Sequence, residues 1–251
     1  MNAKMNVLPA QRAGDGAVPL LESAQVAERK PRRSNRFLLL ETVIVTIVTI
    51  VAIRIIVTSS IAGLAWFLVP GVLIAAGLVP TIARKGRFTH MGLTSRHIGP
   101  SLSVLCGTCA VVFPAMFLCL WMLKSCGWGL PLRPAPLRGQ GWLGWLLYQF
   151  MYIAVAEEVF FRGYLQSSIL RLTHALKPRA WGLRSPTTIL LSAACFAVAH
   201  IVVQGQVLSA VTFLPGLLLA WLFIRTRSLL APILFHGLAN TAYCMMAAAL
   251  A

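Results

Sequence analysis

The chain has 251 residues, 58% of them hydrophobic and only 11% charged, with 22 Lys and Arg against 6 Asp and Glu and a net charge of +16. Soluble domains run nearer half apolar and a quarter charged, so the composition excludes both a soluble globular protein and a disordered one. Nor is the basic excess a nucleic-acid signature: the Lys and Arg fall in clusters between long apolar runs, as in the cytoplasmic loops of a polytopic membrane protein.

Residues 1–36 form a polar tail that ends in the cluster Arg29, Lys30, Arg32, Arg33 and Arg36. It is too long and polar for the n-region of a cleaved signal peptide, and reads as a disordered basic cytoplasmic extension. Seven apolar stretches follow, at 37–57, 61–83, 101–123, 141–170, 188–204, 206–224 and 229–250. A helical span takes about 20 residues, so the expected fold is all-α, a polytopic transmembrane bundle of about seven spans. The fourth stretch is long and carries charges, so part of it is expected to leave the hydrocarbon.

Orientation follows from counting. With the N-terminus inside, seventeen Lys and Arg lie on the inner side and three, Lys124, Arg133 and Arg138, in outer loops, while Arg54 and Arg162 fall within spans. That asymmetry predicts the N-terminus in and the C-terminus out of a multi-pass protein of the cell membrane. The connection 124–140, with Pro131, Pro134 and Pro136, reads as an irregular outer loop between a first group of helices (37–123) and a second half that holds the chemistry. No period of 20–50 residues repeats, which argues against a solenoid or a duplicated transporter half. Cys106, Cys109, Cys119, Cys195 and Cys244 lie within spans, and the Cys106–Cys109 spacing has no second pair, so these are expected to be packing residues.

An ionisable side chain within a bilayer costs at least a few kcal/mol and is a functional candidate by default. The spans contain Glu41, Arg54, Glu157, Glu158, Arg162, His200 and His236, together with the amide Asn240. Glu41 and Arg54 lie about one turn from the ends of the first span, where snorkelling to the interface is the expectation. The others sit deep in three helices. Glu158 and Arg162 are four residues apart and share a helix face, so they are expected to pair as a charge-neutral clamp. Glu157 emerges about 100° away, with no cation near it in sequence, and is left free to act on a water as general base. His200 alone is more often a satisfied core histidine than a catalyst. His236 and Asn240 share a face at i and i+4, and can donate to a developing oxyanion. Counted at 1.5 Å per residue, Glu157, His200 and Asn240 lie roughly 21, 18 and 16 Å from the inner ends of their helices, comparable depths in three different helices.

Three motifs in this order, Glu157-Glu158-xxx-Arg162, Phe196-xxx-His200 and His236-xxx-Asn240, resemble the CPBP family of CAAX-prenyl proteases and bacteriocin-processing or immunity-related (ABI-type) membrane proteins. Phe161-Arg162-Gly163 is similar to the family's usual continuation, and Met91-Gly92-Leu93 more weakly to an upstream stretch. The resemblance covers about 140–245, and makes 140–248 the expected catalytic domain. It implies an intramembrane glutamic endopeptidase: Glu157 activates water, His200 helps to hold it, His236 and Asn240 stabilise the oxyanion, and Glu158 and Arg162 support the site. No cofactor is implied, and the partners are a membrane-protein or peptide substrate and the lipid bilayer, with no nucleic acid. The short chain and simple loops look bacterial.

Two other readings compete. Glu157, His200 and His236 could supply a His₂Glu set for catalytic zinc, although no HExxH occurs. Alternatively the polar residues could be structural glue in a non-catalytic membrane partner, such as a bacteriocin-immunity protein, since interhelical polar contacts in membranes contribute only about 0.6 kcal/mol each.

Overall fold

The computed structural model describes residues 32–86, 88–94, 98–127, 141–176 and 181–250. The described residues are 91% helical and include no strand, which makes the fold all-α. Helix α1 is Arg32–Thr58, α2 is Ala65–Ala83 after a 3₁₀ turn at Ala62–Leu64, and α3 is Ile98–Ser125. Helix α4 is continuous over 142–176 and α5 is Trp181–Gln204. Helix α6 is Phe213–Thr226, entered through a 3₁₀ segment at Val207–Thr212, and α7 is Leu230–Leu250.

Six of these stretches are long and apolar enough to cross a membrane: Asn35–Thr58, Ala62–Ala83, Ile98–Ser125, Pro186–Gln204, Val207–Thr226 and Leu230–Leu250. The protein is a multi-pass membrane protein. The fourth expected span is not among the six. It is helical, but it alternates α and π turns and carries Glu157, Glu158, Arg162 and Arg171. The described residues therefore form a bundle of seven main helices, one of them a polar centre.

Several expected boundaries move. Residues 32–36, assigned to a disordered tail, already belong to α1; residues 1–31 lie outside the described residues, as does 128–140 of the expected outer loop. The inner connection expected over 171–187 is shorter, since helix runs to Leu176 and resumes at Trp181.

The lipid-facing logic is plain in α1. Thr42, Thr46 and Thr49 recur at i, i+4 and i+7, are buried, and each returns its hydroxyl to the carbonyl four residues earlier, at 2.7, 2.7 and 2.6 Å. Their donors are satisfied locally, so the small polar stripe can face the bundle at little cost. Phe37, Leu40, Val48 and Ile55 point away from it and are exposed. Glu41 and Arg54 both reach neighbouring helices. Glu41 pairs with Arg84 at the end of α2 (3.3 Å) and accepts from the Tyr164 hydroxyl of α4 (3.3 Å). Arg54 donates to the Val203 carbonyl of α5 (3.1 Å). Both are cross-links, because a neighbouring helix end lies within reach before water does.

The core forms around α4. Phe160, Phe161, Tyr164 and Leu165 pack with Ile53, Leu73, Phe196, Phe223 and Leu229, contributed by α1, α2, α5, α6 and the turn before α7. Met91 joins them, and Gly92 follows at φ +80°, where a Cβ would lie 2.6 Å from the Phe223 ring. Only glycine permits both that backbone and that approach. It also lets the Gly92 carbonyl accept from Leu229 N at 3.0 Å, tying the α2–α3 connection to the α6–α7 turn.

Candidate active site

The site grows out of α4. Its α-helical turn Val155–Glu158 lies between two π-helical stretches, Tyr148–Ala154 and Val159–Gln166. A π turn closes over five residues and rotates the faces on which later side chains emerge; such turns are frequent at functional sites. Glu157 and Glu158 therefore sit where the helix changes pitch, and their surroundings differ sharply.

Glu158 and Arg162 are completely buried, with Oε1 to NH1 at 3.0 Å, as their spacing predicts. The same Oε1 accepts from Nδ1 of His236 on α7 at 2.9 Å. Arg162 also donates NH2 to the Gly216 carbonyl of α6 (3.3 Å), and its guanidinium lies 4.5 Å from the centre of the Phe196 ring on α5. One turn further, the buried Gln166 donates to the Ala220 carbonyl (2.9 Å) and accepts from Ser192 of α5 (3.3 Å). Glu158, Arg162 and Gln166 thus form a ladder along α4 that holds α5, α6 and α7.

Glu157 looks the other way. Its side chain is 18% exposed, and its Oε2 lies 4.0 Å from Nε2 of His200 and 3.9 Å from Nε2 of His236. These distances are too long for direct hydrogen bonds. Both imidazoles are fixed by their other nitrogen, His200 by donating Nδ1–H to the Phe196 carbonyl (2.9 Å) and His236 by donating to Glu158. In its neutral tautomer His200 then carries an Nε2 lone pair toward Glu157, whereas His236, held on the Glu158 carboxylate, presents Nε2–H on that side when doubly protonated. The Phe196 ring lies 4.3 Å from that of His200, tilted by 47°, while it receives Arg162 on its face, so the aromatic of Phe-xxx-His joins the buried ladder to the histidine beside Glu157.

Asn240 lies one turn beyond His236 and donates Nδ2 to Gln149 Oε1 at 3.0 Å, leaving one amide hydrogen for another acceptor. Close approach of α7 to the first π stretch depends on Gly237, where a Cβ would fall 2.5 Å from the Phe150 ring. Glu157, Glu158, Arg162, His200 and His236 thus lie together, while Asn240 bonds Gln149 one turn along α7 from His236. Two amides were missed. Gln149 and Gln166 carry no charge and escape a search for ionisable groups, although an amide in a span was the available signal.

An apolar cavity of about 130 Å³ opens beside Glu157 and His200. Its walls include Ile50 and Ile53 of α1 and Val69 and Leu73 of α2, so the first two helices help to enclose the carboxylate.

In comparison with known protein families, residues 139–242 match the type II CAAX prenyl endopeptidase Rce1-like model, which is the CPBP family. The second half of the chain is therefore similar to CPBP-family domains. The matched segment contains Gln149, both glutamates, Arg162, both histidines and Asn240. The match over this segment supports a membrane endopeptidase of the CAAX-protease type. No curated protein and no solved structure matches the chain.

Proposed function

We propose that the chain is a glutamic intramembrane endopeptidase in which Glu157 activates water to cleave a peptide bond near the end of a membrane-anchored or peptide substrate. The observation that supports this most directly is the triangle of Glu157 Oε2 with the two Nε2 atoms at 3.9 and 4.0 Å. A water hydrogen-bonded at about 2.8 Å to two atoms 4.0 Å apart subtends about 90°, which is feasible for an ordered water.

In this mechanism Glu157 takes a proton from that water while His200 fixes its position. The oxygen attacks the scissile carbonyl, and the oxyanion accepts from the free amide hydrogen of Asn240 and from Nε2–H of His236 in its doubly protonated form. Glu158 holds the opposite nitrogen of His236, and Arg162 balances the Glu158 charge. Glu157 then returns the proton to the leaving amine, so that the products are a carboxylic acid and an amine.

The zinc alternative fits less well. Ligands at about 2.1 Å from a tetrahedral zinc stand about 3.4 Å apart, closer than the observed triangle. Among the described residues no group of three His, Cys, Asp or Glu has metal-holding geometry. The non-catalytic reading leaves the open carboxylate between two oriented imidazoles without a purpose.

The test is cleavage of a prenylated CAAX peptide by purified protein in nanodiscs, read by mass spectrometry of the released fragment. Wild type should retain activity in strong chelators, and Glu157→Gln should lose a factor of about 10²–10⁴, the usual contribution of a general base. Activity abolished by chelators and restored by zinc would overturn the glutamic mechanism.

A further inference from the structure

A second site lies at the opposite side of the CPBP domain from the α1 and α2 walls. A groove of about 360 Å³ runs between the first turns of α3 and the end of α6, lined by Pro100, Ser103, Val104, Arg225, Thr226 and Arg227. Its volume falls in the range of small-ligand sites, about 300–1,000 Å³. Arg225 and Arg227 are both exposed, and neither has an ion-pair partner among the described residues. The described carboxylates are all engaged elsewhere: Glu41 by Arg84, Glu158 by Arg162 and His236, and Glu157 facing the two imidazoles.

The left-handed backbone at Arg227 is shared by Lys85 after α2 (φ 52° at both), so it is the place of the arginine pair in the groove that distinguishes it from other surface charge. Arg227 adopts φ +52°, the left-handed region that disfavours a residue with a Cβ, at a helix C-terminus where glycine would be easier. The turn nevertheless carries an arginine, and that arginine lines the groove. The groove also lies at the start of the candidate span Ile98–Ser125 and the end of the candidate span Val207–Thr226. Helix α3 is the least buried of the six candidate spans, at 6%, and exposes Ile98 and Leu102 beside the groove.

From this juxtaposition we infer that the groove is a binding site for an anionic phospholipid. The phosphate lies between the Arg225 and Arg227 guanidinia, which bind phosphate oxygens through their planar donor forks. The acyl chains run along the apolar outer face of α3, which exposes Ile98 and Leu102. Basic pockets between helices at a membrane face suit such headgroups.

The experiment uses the full-length chain in nanodiscs of phosphatidylcholine with or without phosphatidylglycerol, with retained lipid counted by native mass spectrometry after release. Wild type should retain phosphatidylglycerol selectively. Arg225→Gln combined with Arg227→Gln should weaken retention about thirty-fold, from a factor of about five for each arginine near a lipid surface. Lys85→Gln, which removes an exposed cation outside the groove, should leave retention unchanged. Arg227→Gly relaxes the left-handed backbone, so it should fold at least as well as wild type in phosphatidylcholine and still lose retention. Equal loss in the Lys85 variant would reduce the effect to general surface charge and overturn the site. Displacement of the lipid by millimolar inorganic phosphate, with phosphate itself then retained, would overturn the lipid assignment in favour of a free anion. A wild type that retains no phosphatidylglycerol would contradict the inference outright.

Discussion

Glu157 and Glu158 are neighbours in sequence and opposites in surroundings. Glu158 is fully buried, shared between Arg162 and His236, and continuous with a ladder that reaches Gln166. Glu157 is partly open, faces two imidazoles across gaps of about one water, and borders a cavity. The difference teaches how a bundle of apolar helices can hold one carboxylate unpaired beside another that is fully paired. One glutamate is neutralised to hold the helices in place, and the rigid frame this creates leaves its neighbour unpaired. Direct interhelical bonds tie the buried side, whereas the open side is held by orientation: each histidine has its far nitrogen fixed and its near nitrogen free.

The largest effect on the buried side should come from Arg162→Leu. Removing one partner of a buried pair strands the other charge, at a cost of about 3–5 kcal/mol. Thermal unfolding in detergent should show a strongly lowered midpoint, and the protein should accumulate poorly. Normal accumulation and normal cleavage would dissolve the distinction between the two glutamates. Gly237→Ala sharpens it from the packing side. The new methyl meets the Phe150 ring, so α7 must shift, at about 1–3 kcal/mol. Because α7 carries His236 and Asn240, cleavage should fall further than stability does.

Gln149→Leu should act on the open side alone. It removes the acceptor that orients Asn240, a bond with a net contribution of about 1 kcal/mol. The expected result is a kcat several-fold lower with KM and the unfolding midpoint nearly unchanged; a change in KM alone would place Gln149 in substrate binding. The smallest effect should be that of Glu41→Gln. Its pair with Arg84 is partly exposed and contributes up to about 1 kcal/mol, so stability should drop slightly and cleavage not at all.

Much of this was legible in the sequence because the bilayer penalises polar residues. Glu157, Glu158, Arg162, His200, His236 and Asn240 stood out as groups that do not belong in hydrocarbon, and the i, i+4 pairing of Glu158 with Arg162 followed from helix geometry. What was not legible depends on interhelical geometry. The bond from His236 to Glu158 joins residues 78 positions apart, and no local spacing announces it. The π turns on either side of Glu157 have no residue signature comparable to a proline kink. The partners of Glu41 and Arg54, Arg84 and the Val203 carbonyl, are supplied by other helices and could not be read from the first span alone. The apolar walls from α1 and α2 look like any other span in sequence.

The most direct test compares Glu157→Gln and Glu158→Gln in one preparation, with cleavage of the same peptide and the unfolding midpoint measured on each. Glu157→Gln should keep the wild-type midpoint and lose nearly all cleavage. Glu158→Gln should lower the midpoint markedly and lose cleavage with it, because Arg162 and His236 lose their shared acceptor charge. A Glu157→Gln protein that still cleaves, or a Glu158→Gln protein as stable as wild type, would contradict the division of labour between the two carboxylates.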